Sequence, residues 1–487
     1  MDRRDFLTKT GLFAAATALG EAVLPADAAA GERTVNERPD VLFIAIEDIA
    51  PLMGCYGHPV VKTPNIDALA KRGVLFDRAY CQVAVCNPSR ACILTGLRPE
   101  TTRVFGNSTD WRQRIPTGML ALPEFFRDNG YETVICGKIH HHPRYFTDAT
   151  KEAQQREDRM WHKKLAARSK GYIRPALWPK AKRPKWLKED DYIARSLNWG
   201  PTGLKDAEQT DGAIAEAVAK ELKTKRHRPL FMAVGLHAPH YPLRAPDKYF
   251  EMYPPEKVVL PRNPENDLAD VPHKYSTFNT TDDRWLNQDE KRQVIAAYYA
   301  CISYIDTCVG VVMDALRQTG RDENTIICLW GDHGMHLGEH FLWRKHTLFE
   351  NAARVPFIMV AGGVARAGSV CKRPVELIDI YPTLADLCGL KVPDALEAIS
   401  MKPLLKDPQR AWKKAAFTNQ GAENRSLRTE RWRYTEWGGP TNAELYDHEN
   451  DPGEFNNLAN DPRHAGTVAE LSRLLSKGWK AALDAGA

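Results

Sequence analysis

Two stretches decide the architecture. One is Val41-Leu42-Phe43-Ile44-Ala45-Ile46, followed by Glu47-Asp48. The other is Thr325-Ile326-Ile327-Cys328-Leu329-Trp330, followed by Gly331-Asp332-His333-Gly334. Each is an apolar run of strand length without the alternation of a half-exposed strand, the pattern of a strand covered on both faces in a parallel sheet. Each run ends on acidic residues, and in α/β sheets sites form beyond the carboxyl ends of strands. One acidic pair alone reads as a helix cap or a turn. Two of them, at the ends of two buried strands, predict convergence on one hard cation.

Working outward, Thr63-Pro64 starts a helix, with Thr63 as N-cap and Pro64 at its first position, and Gly73 ends it. Helices are predicted over 120–130, 205–224 and 289–318, and strands over 133–136, 230–235 and 356–361. Strands alternating with helices predict an α/β fold with a large, mainly parallel sheet. The end of the chain changes character. Residues 426–437 are aromatic and basic with strand-like alternation, Glu444-Leu445-Tyr446-Asp447 reads as a short strand and Asp451-Pro452-Gly453 as a turn, and an amphipathic helix covers 464–482. We therefore expect a catalytic domain over 37–405 with an insertion at 144–200, and a small C-terminal α+β subdomain with an antiparallel sheet over 410–487.

The chain has 487 residues, 43% hydrophobic and 26% charged. That excludes a disordered, collagen-like or coiled-coil chain. No apolar run reaches the roughly 20 residues of a membrane helix, so no stable membrane anchor is expected. Ten cysteines, none in C-x-x-C spacing, exclude a disulfide scaffold, a zinc finger and a thioredoxin motif. The net charge is +5, yet Lys151 to Lys188 alone holds thirteen Lys/Arg against three Asp/Glu, interleaved with Trp161, Trp178 and Trp186. Such a segment either attracts a polyanionic glycan, with tryptophans stacked on sugar faces, or forms a solvated lid or packing insertion.

The chain opens Met1-Asp2-Arg3-Arg4-Asp5-Phe6-Leu7-Thr8-Lys9, continues with an alanine-rich apolar stretch, Gly11 to Leu19, and reaches Ala26-Asp27-Ala28. Paired arginines before an apolar stretch and an A-x-A site read as a bacterial twin-arginine signal over residues 1–30. The expected partner is the twin-arginine translocase, and the expected location periplasmic or secreted. An exported chain is removed from nucleic acid.

The sharpest local signal is Cys86-Asn87-Pro88-Ser89-Arg90, continuing Ala91-Cys92-Ile93-Leu94-Thr95-Gly96. It places a cysteine at the start of a helix, where anions are favoured and a thiol pKa falls. Arg90, one turn on, is spaced to clamp an oxyanion. The plainer alternative is a buried structural cysteine, the reading given to Cys92, Cys301 and Cys388.

Cys-x-Pro-Ser-Arg followed by Leu94-Thr95-Gly96 resembles the signature of type I, formylglycine-dependent sulfatases, and within them the bacterial iduronate-2-sulfatase-like group. The resemblance continues in Gly54-Cys55-Tyr56-Gly57, Thr63 to Asp67, Arg98 to Arg103, Asn129-Gly130-Tyr131 and Gly137-Lys138. Further matches are Ala233 to His240, Asp332-His333-Gly334 and Leu337 to His340, and in the tail Glu444 to Asp447. It implies an alkaline-phosphatase/sulfatase-like fold and a sulfuric ester hydrolase. It also implies that Cys86 is oxidised to formylglycine by a formylglycine-generating enzyme before export. Glu47, Asp48, Asp332 and His333 match the family's calcium ligands, although the usual first pair is Asp-Asp and Glu47 is one methylene longer. Arg90, Lys138 and Lys345 match groups that bind the sulfate and the formylglycine. His237 matches the histidine that protonates the leaving alcohol, and His141, within His140-His141-His142, the one that assists turnover. His346 and Trp343 are expected to touch substrate, and His240, His336 and His340 to form the pocket wall.

Three functions are open to such a chain. The first is an exported sulfatase acting on a sulfated carbohydrate such as a 2-O-sulfated uronate, in glycosaminoglycan degradation. The second is a phosphonate or phosphodiester hydrolase sharing the same nucleophile and metal. The third is a non-enzymatic glycan-binding relative, against which the intact set Cys86, Arg90, Lys138, His237, Asp332 and Lys345 argues.

Overall fold

The computed structural model describes residues 38–170, 173–180, 197–274 and 277–483. The expected signal segment, and Trp186 with the lysines around it, lie outside the described residues.

Eight strands form the main sheet, in the spatial order Ser369–Cys371, Val74–Phe76, Phe357–Val360, Thr325–Gly331, Asp40–Ile46, Leu230–Leu236, Glu132–Gly137, Lys163–Lys164. Seven run the same way and Phe357–Val360 runs against them. A buried apolar run reads the same in both directions, so the sequence carried no signal for that reversal. The strands Asp40–Ile46 and Thr325–Gly331 are neighbours, and every residue in both is buried.

Register fixes where the strands end. Ile46 pairs with Gly331 on one side and Leu236 on the other, and Gly137 pairs with Gly235. Four adjacent parallel strands therefore stop almost level, and Glu47, Asp332, His237 and Lys138 come next at one edge. The chain crosses closely there. Gly137 is left-handed (φ 78°), and a Cβ on it would collide with the Gly235 carbonyl, while one on Gly235 would meet the Lys138 backbone.

Helices cover both faces. Pro64–Arg72 starts and stops where predicted, but Thr63 does not cap it: its hydroxyl accepts from Gly54 N (2.9 Å) and donates to Asp67 Oδ1 (2.9 Å). The 31-residue helix Gln288–Gln318 is long and apolar enough to cross a membrane by length and composition, yet it is packed within the core. All ten cysteines are free thiols.

The stretch 426–437 is a hairpin rather than one strand. Asn424–Arg428 and Trp432–Trp437 are the middle strands of a four-stranded antiparallel sheet edged by Ala416–Gln420 and Ala443–Asp447. The last helix, Ala465–Lys477, breaks at Gly478 before the 3-10 turn Trp479–Ala482. This layer is joined to the main body by a buried charge. Glu376 accepts both guanidinium branches of Arg98 (2.8 and 2.8 Å), Lys413 Nζ (2.7 Å) and Phe417 N (3.0 Å). The Arg98 guanidinium also lies over the rings of Phe417 and Trp479.

The described part of the insertion follows its packing alternative. Trp161 is buried, its ring 6.4 Å from that of Phe231, because it follows the helix Lys151–Met160 into the core. Much of the basic charge is paired: Arg156 with Glu124, Lys163 with Glu221, Lys164 with Glu157 and Asp158, Lys170 with Glu208, and Arg174 with Asp247. Trp178 is the described tryptophan of this segment that stays half exposed.

Candidate active site

The helix Cys86–Thr95 points its N-terminus at the level edge of the sheet, and all ten of its residues are buried. Its end groups are held from outside: Asn87 N donates to Asn107 Oδ1 (3.1 Å), and Asn87 Nδ2 to the carbonyls of Gly106 and Thr109 (2.8 Å each). Ser89 Oγ donates to Asp332 O (2.5 Å), tying the helix to the end of the strand Thr325–Gly331.

Cys86 Sγ is the centre of the cluster. It lies 3.1 Å from Lys345 Nζ, 3.4 Å from His333 Nε2, 3.5 Å from Glu47 Oε1 and 3.6 Å from Asp48 Oδ1. The expected lowering of its pKa does not occur. Burial pushes the thiol up to about 12, Asp48 and Asp332 add to this, and Lys345 and Arg90 offset it only in part. The helix terminus acts locally, whereas burial and carboxylates from two strands act together. A bare thiol here is protonated at neutral pH and is a poor nucleophile.

Glu47, Asp48, Asp332 and His333 converge as the strand ends predict. Asp48 is left-handed (φ 52°), its N–H donates to Asp332 Oδ1 (2.9 Å), and its carbonyl accepts from Tyr298 OH (2.7 Å). Against the cost of burial, Lys345, His240 and His333 hold Asp48 well below the usual carboxylate range. Against the same cost, His333 and Arg90 hold Asp332 at about 2.

The donor set fits a hard divalent cation. Three buried carboxylates face one space, and lysine ammoniums sit against two of them: Lys138 on Glu47 and Lys345 on Asp48. His333 donates Nδ1–H to Gly334 O (2.9 Å), which leaves Nε2, 3.1 Å from Asp48 Oδ1, to hold a proton or a metal ion. Two acceptors at that distance repel unless a cation or a proton lies between them. A backbone carbonyl behind the ring is the usual support of a ligating histidine.

The cationic groups surround this space. Arg90 is fully buried. Nε bonds Asp332 Oδ2 (2.8 Å) and Nη1 bonds the carbonyls of Lys138 (2.5 Å) and Ile139 (3.1 Å), while Nη2 has no partner among the described residues. Burial pulls Lys138 down to about 7. Among the three consecutive histidines, His141 is the one directed inward. Burial, with Lys138 and Arg90, pushes its ring down to about 3, and its Nδ1 is unpartnered. His140 turns to Glu157, and His142 is exposed.

Two expected residues make their hydrogen bonds or ion pairs elsewhere, and one group was missed as a candidate for the chemistry. His237 has a side chain 44% exposed, with Nδ1 3.4 Å from Asp211 Oδ1. Three residues on, His240 brings Nε2 to 3.7 Å from Glu47 Oε1. Its Nδ1 donates to Tyr241 O (2.6 Å), and burial pushes the ring down to about 3. The repeat of histidine in His237-Ala238-Pro239-His240 was the available signal, but a turn has no fixed period from which to choose. Trp343, expected to touch substrate, is covered by protein. It is fully buried in the short hairpin of His336–Leu337 and Trp343–Arg344, packed on Gly338, with Nε1 3.4 Å from Asp283 Oδ1. His346 is half-buried, left-handed (φ 76°), and its N–H donates to Ala84 O (3.1 Å). His336 and His340 are buried, bonded to Thr347 (2.8 Å) and Asp267 (3.1 Å) respectively.

Comparison with known proteins agrees with this geometry. Residues 39–390 match the family model described as "Sulfatase", and residues 338–480 match "N-sulphoglucosamine sulphohydrolase, C-terminal". A sulfatase of Formosa agariphila is 32% identical, covering 91% of this chain and 87% of its own. Iduronate 2-sulfatase of Mus musculus is 29% identical, covering 93% and 96%. Among solved structures, a phosphonate monoester hydrolase from Silicibacter pomeroyi superposes with a TM-score of 0.73 at 24% identity, covering 92% of this chain and 96% of its own. The fold is thus that of alkaline phosphatases and sulfatases, and with a family match across most of its length and a relative above 30% identity, the chain belongs to the sulfatase family and is a sulfuric ester hydrolase.

Proposed function

We propose that the protein removes sulfate from a carbohydrate bearing a 2-O-sulfated uronate, outside the cytoplasm, with Cys86 converted to formylglycine and calcium at the acidic cluster. The observation that carries the reading is Cys86 itself: a buried thiol held up to about 12, beside Lys345, His333, Glu47 and Asp48. Everything around it suits a nucleophile facing an anion, and the thiol does not. Likeness to an iduronate 2-sulfatase over 93% of the chain supports the uronate. The residue 1–30 pattern supports export.

When present, the aldehyde hydrate of formylglycine supplies an oxygen nucleophile and a second hydroxyl whose deprotonation expels sulfate and restores the aldehyde, so no water attacks sulfur. Calcium, held by Glu47, Asp48, Asp332 and His333, would add positive charge beside the sulfate. The chain's own residues do the rest. The unpartnered Nη2 of Arg90 and the ammoniums of Lys138 and Lys345 take the sulfate oxygens. Lys345 is the proton-bearing group beside the nucleophile, and His240 Nε2 the bare base nearest Glu47. Protonation of the leaving alcohol is assigned to Lys345, the member of this pair that carries a proton, with the neutral His240 rather than His237 beside it. His141, with an unpartnered Nδ1, receives the proton of the second hydroxyl.

The test is sulfate release from a 2-O-sulfated uronate disaccharide, using protein co-expressed with a formylglycine-generating enzyme, with Cys86→Ala in parallel. Release by the unsubstituted enzyme alone supports the reading. No release from protein whose Cys86 is converted by peptide mass rejects the uronate. An aryl phosphate diester, run alongside, tests the phosphorus-ester alternative.

A further inference from the structure

Lys345 sits on a turn that the backbone does not favour. His340, Phe341, Arg344 and His346 all adopt left-handed φ, at 57, 55, 70 and 76°. Non-glycine residues hold such angles only where surroundings over-determine them, at a cost of about 1 kcal/mol or more each. The restraint comes from the helix Thr277–Trp285. Asp282, fully buried, takes Arg344 in a bidentate pair, Oδ2 to Nε at 2.9 Å and Oδ1 to Nη2 at 3.0 Å. Asn279 Nδ2 donates to the Lys345 carbonyl (2.6 Å). The Arg344 guanidinium also lies 5.0 Å from the centre of the Tyr241 ring. Arg344 precedes Lys345 in the chain, and Tyr241 follows His240. One planar cation therefore joins the turn carrying Lys345 to the turn carrying His240.

We propose that Asp282 and Arg344 are positioning residues, whose buried ion pair sets Lys345 and His240 against each other across the nucleophile. The inference rests on the reading that Cys86, Lys345 and His240 form the reacting centre. A lysine at 344 would keep the charge but lose both the fork and the flat face.

A buried pair also has a plain structural role, and the experiment separates the two. Removing one partner strands a buried charge, whereas replacing both by apolar residues is often neutral for stability. The decisive protein is therefore the double variant Asp282→Leu/Arg344→Met, compared with Arg344→Lys and the unsubstituted enzyme. Turnover of an aryl sulfate is measured after checking Cys86 conversion by peptide mass, and hydrogen exchange is followed over residues 336–348. The proposal expects a folded double variant, with kcat lower by about tenfold or more and KM changed by less than about threefold. It also expects faster exchange confined to that segment. A double variant that melts, exchanges and turns over like the unsubstituted enzyme would overturn it. Should the unsubstituted enzyme, fully converted, leave the aryl sulfate intact, the reading of Cys86, Lys345 and His240 as a centre that turns over that ester fails instead. The exchange of residues 336–348 then decides the positioning role alone, unchanged exchange counting against it.

Discussion

Lys345 Nζ stands 2.6 Å from both carboxylate oxygens of Asp48, and the same ammonium reaches Cys86 Sγ at 3.1 Å. One lysine thus touches both an expected metal ligand and the expected nucleophile. Replacing it by alanine leaves Asp48 buried without its nearest cation, a change that costs about 3–5 kcal/mol. Calcium should offset that loss, because a ligand bound only by the folded state stabilises by about 2.7 kcal/mol at a hundred times its Kd. We expect Lys345→Ala to lose at least about a hundredfold in kcat. Its melting temperature should rise more on calcium addition than that of the unsubstituted enzyme. An equal calcium response in both proteins would remove Asp48 from the metal site.

Cys86→Ala should abolish turnover and leave the melting temperature nearly unchanged, since a small apolar group replaces a buried thiol. Unconverted Cys86 protein should be equally inactive, and raising the pH to 9 should not help, because burial holds the thiol up to about 12. Turnover by protein shown by mass to retain the thiol would sink the formylglycine mechanism.

His240 and His237 make a paired comparison. His240→Ala should lower kcat by about a hundredfold, the usual contribution of a placed acid or base. His237→Ala, far more exposed and turned to Asp211, should cost less than about tenfold under the same conditions. Single-turnover rates for both variants check this, and the reverse order would return the proton transfer to His237.

Glu444 gives a pH prediction remote from the site. Its carboxyl is buried, accepts from Trp437 Nε1 (2.5 Å) and Tyr446 OH (3.0 Å), and burial pushes it up to about 7. Its folded value exceeds its unfolded one, so its contribution is complete below about pH 4 and is lost as the pH rises through about 7. Glu444→Gln carries no such loss. The variant should gain on the unsubstituted protein by about 2–5 °C in melting temperature between pH 5 and 9. A gap that stays constant over that range would show that Glu444 does not titrate there.

Much of this site was legible because strand ends are legible. The runs Val41–Ile46 and Thr325–Trp330 can only be buried strands, and a common register brings the acidic residues beyond them to one edge. The helix beginning at Cys86 was equally plain from Pro88 and Gly96. The hidden parts depend on distant contacts. The choice of His240 over His237 is made by a turn, the burial of Trp343 by a hairpin packing on Gly338, and the raised Cys86 thiol first by burial beneath segments distant in the chain. The charge in the insertion looked free in sequence because its partners, such as Glu124, Glu208 and Glu221, belong to other segments.

The Arg98–Glu376–Lys413 junction makes the tail of this chain a poor module. Glu376 and Arg98 belong to the main body, while Lys413, Phe417 and Trp479 come from the end of the chain. Cutting the chain near residue 410 would uncover the Arg98–Glu376 pair and remove Lys413 and the two rings that cover Arg98. A chimera that exchanges C-terminal layers between relatives must therefore carry the whole set across together, and sequence drift at any one of these positions is constrained by the others. The three residues are mutually dependent, and a library that varies Arg98, Glu376 and Lys413 jointly should recover folded hybrids that single-site libraries miss.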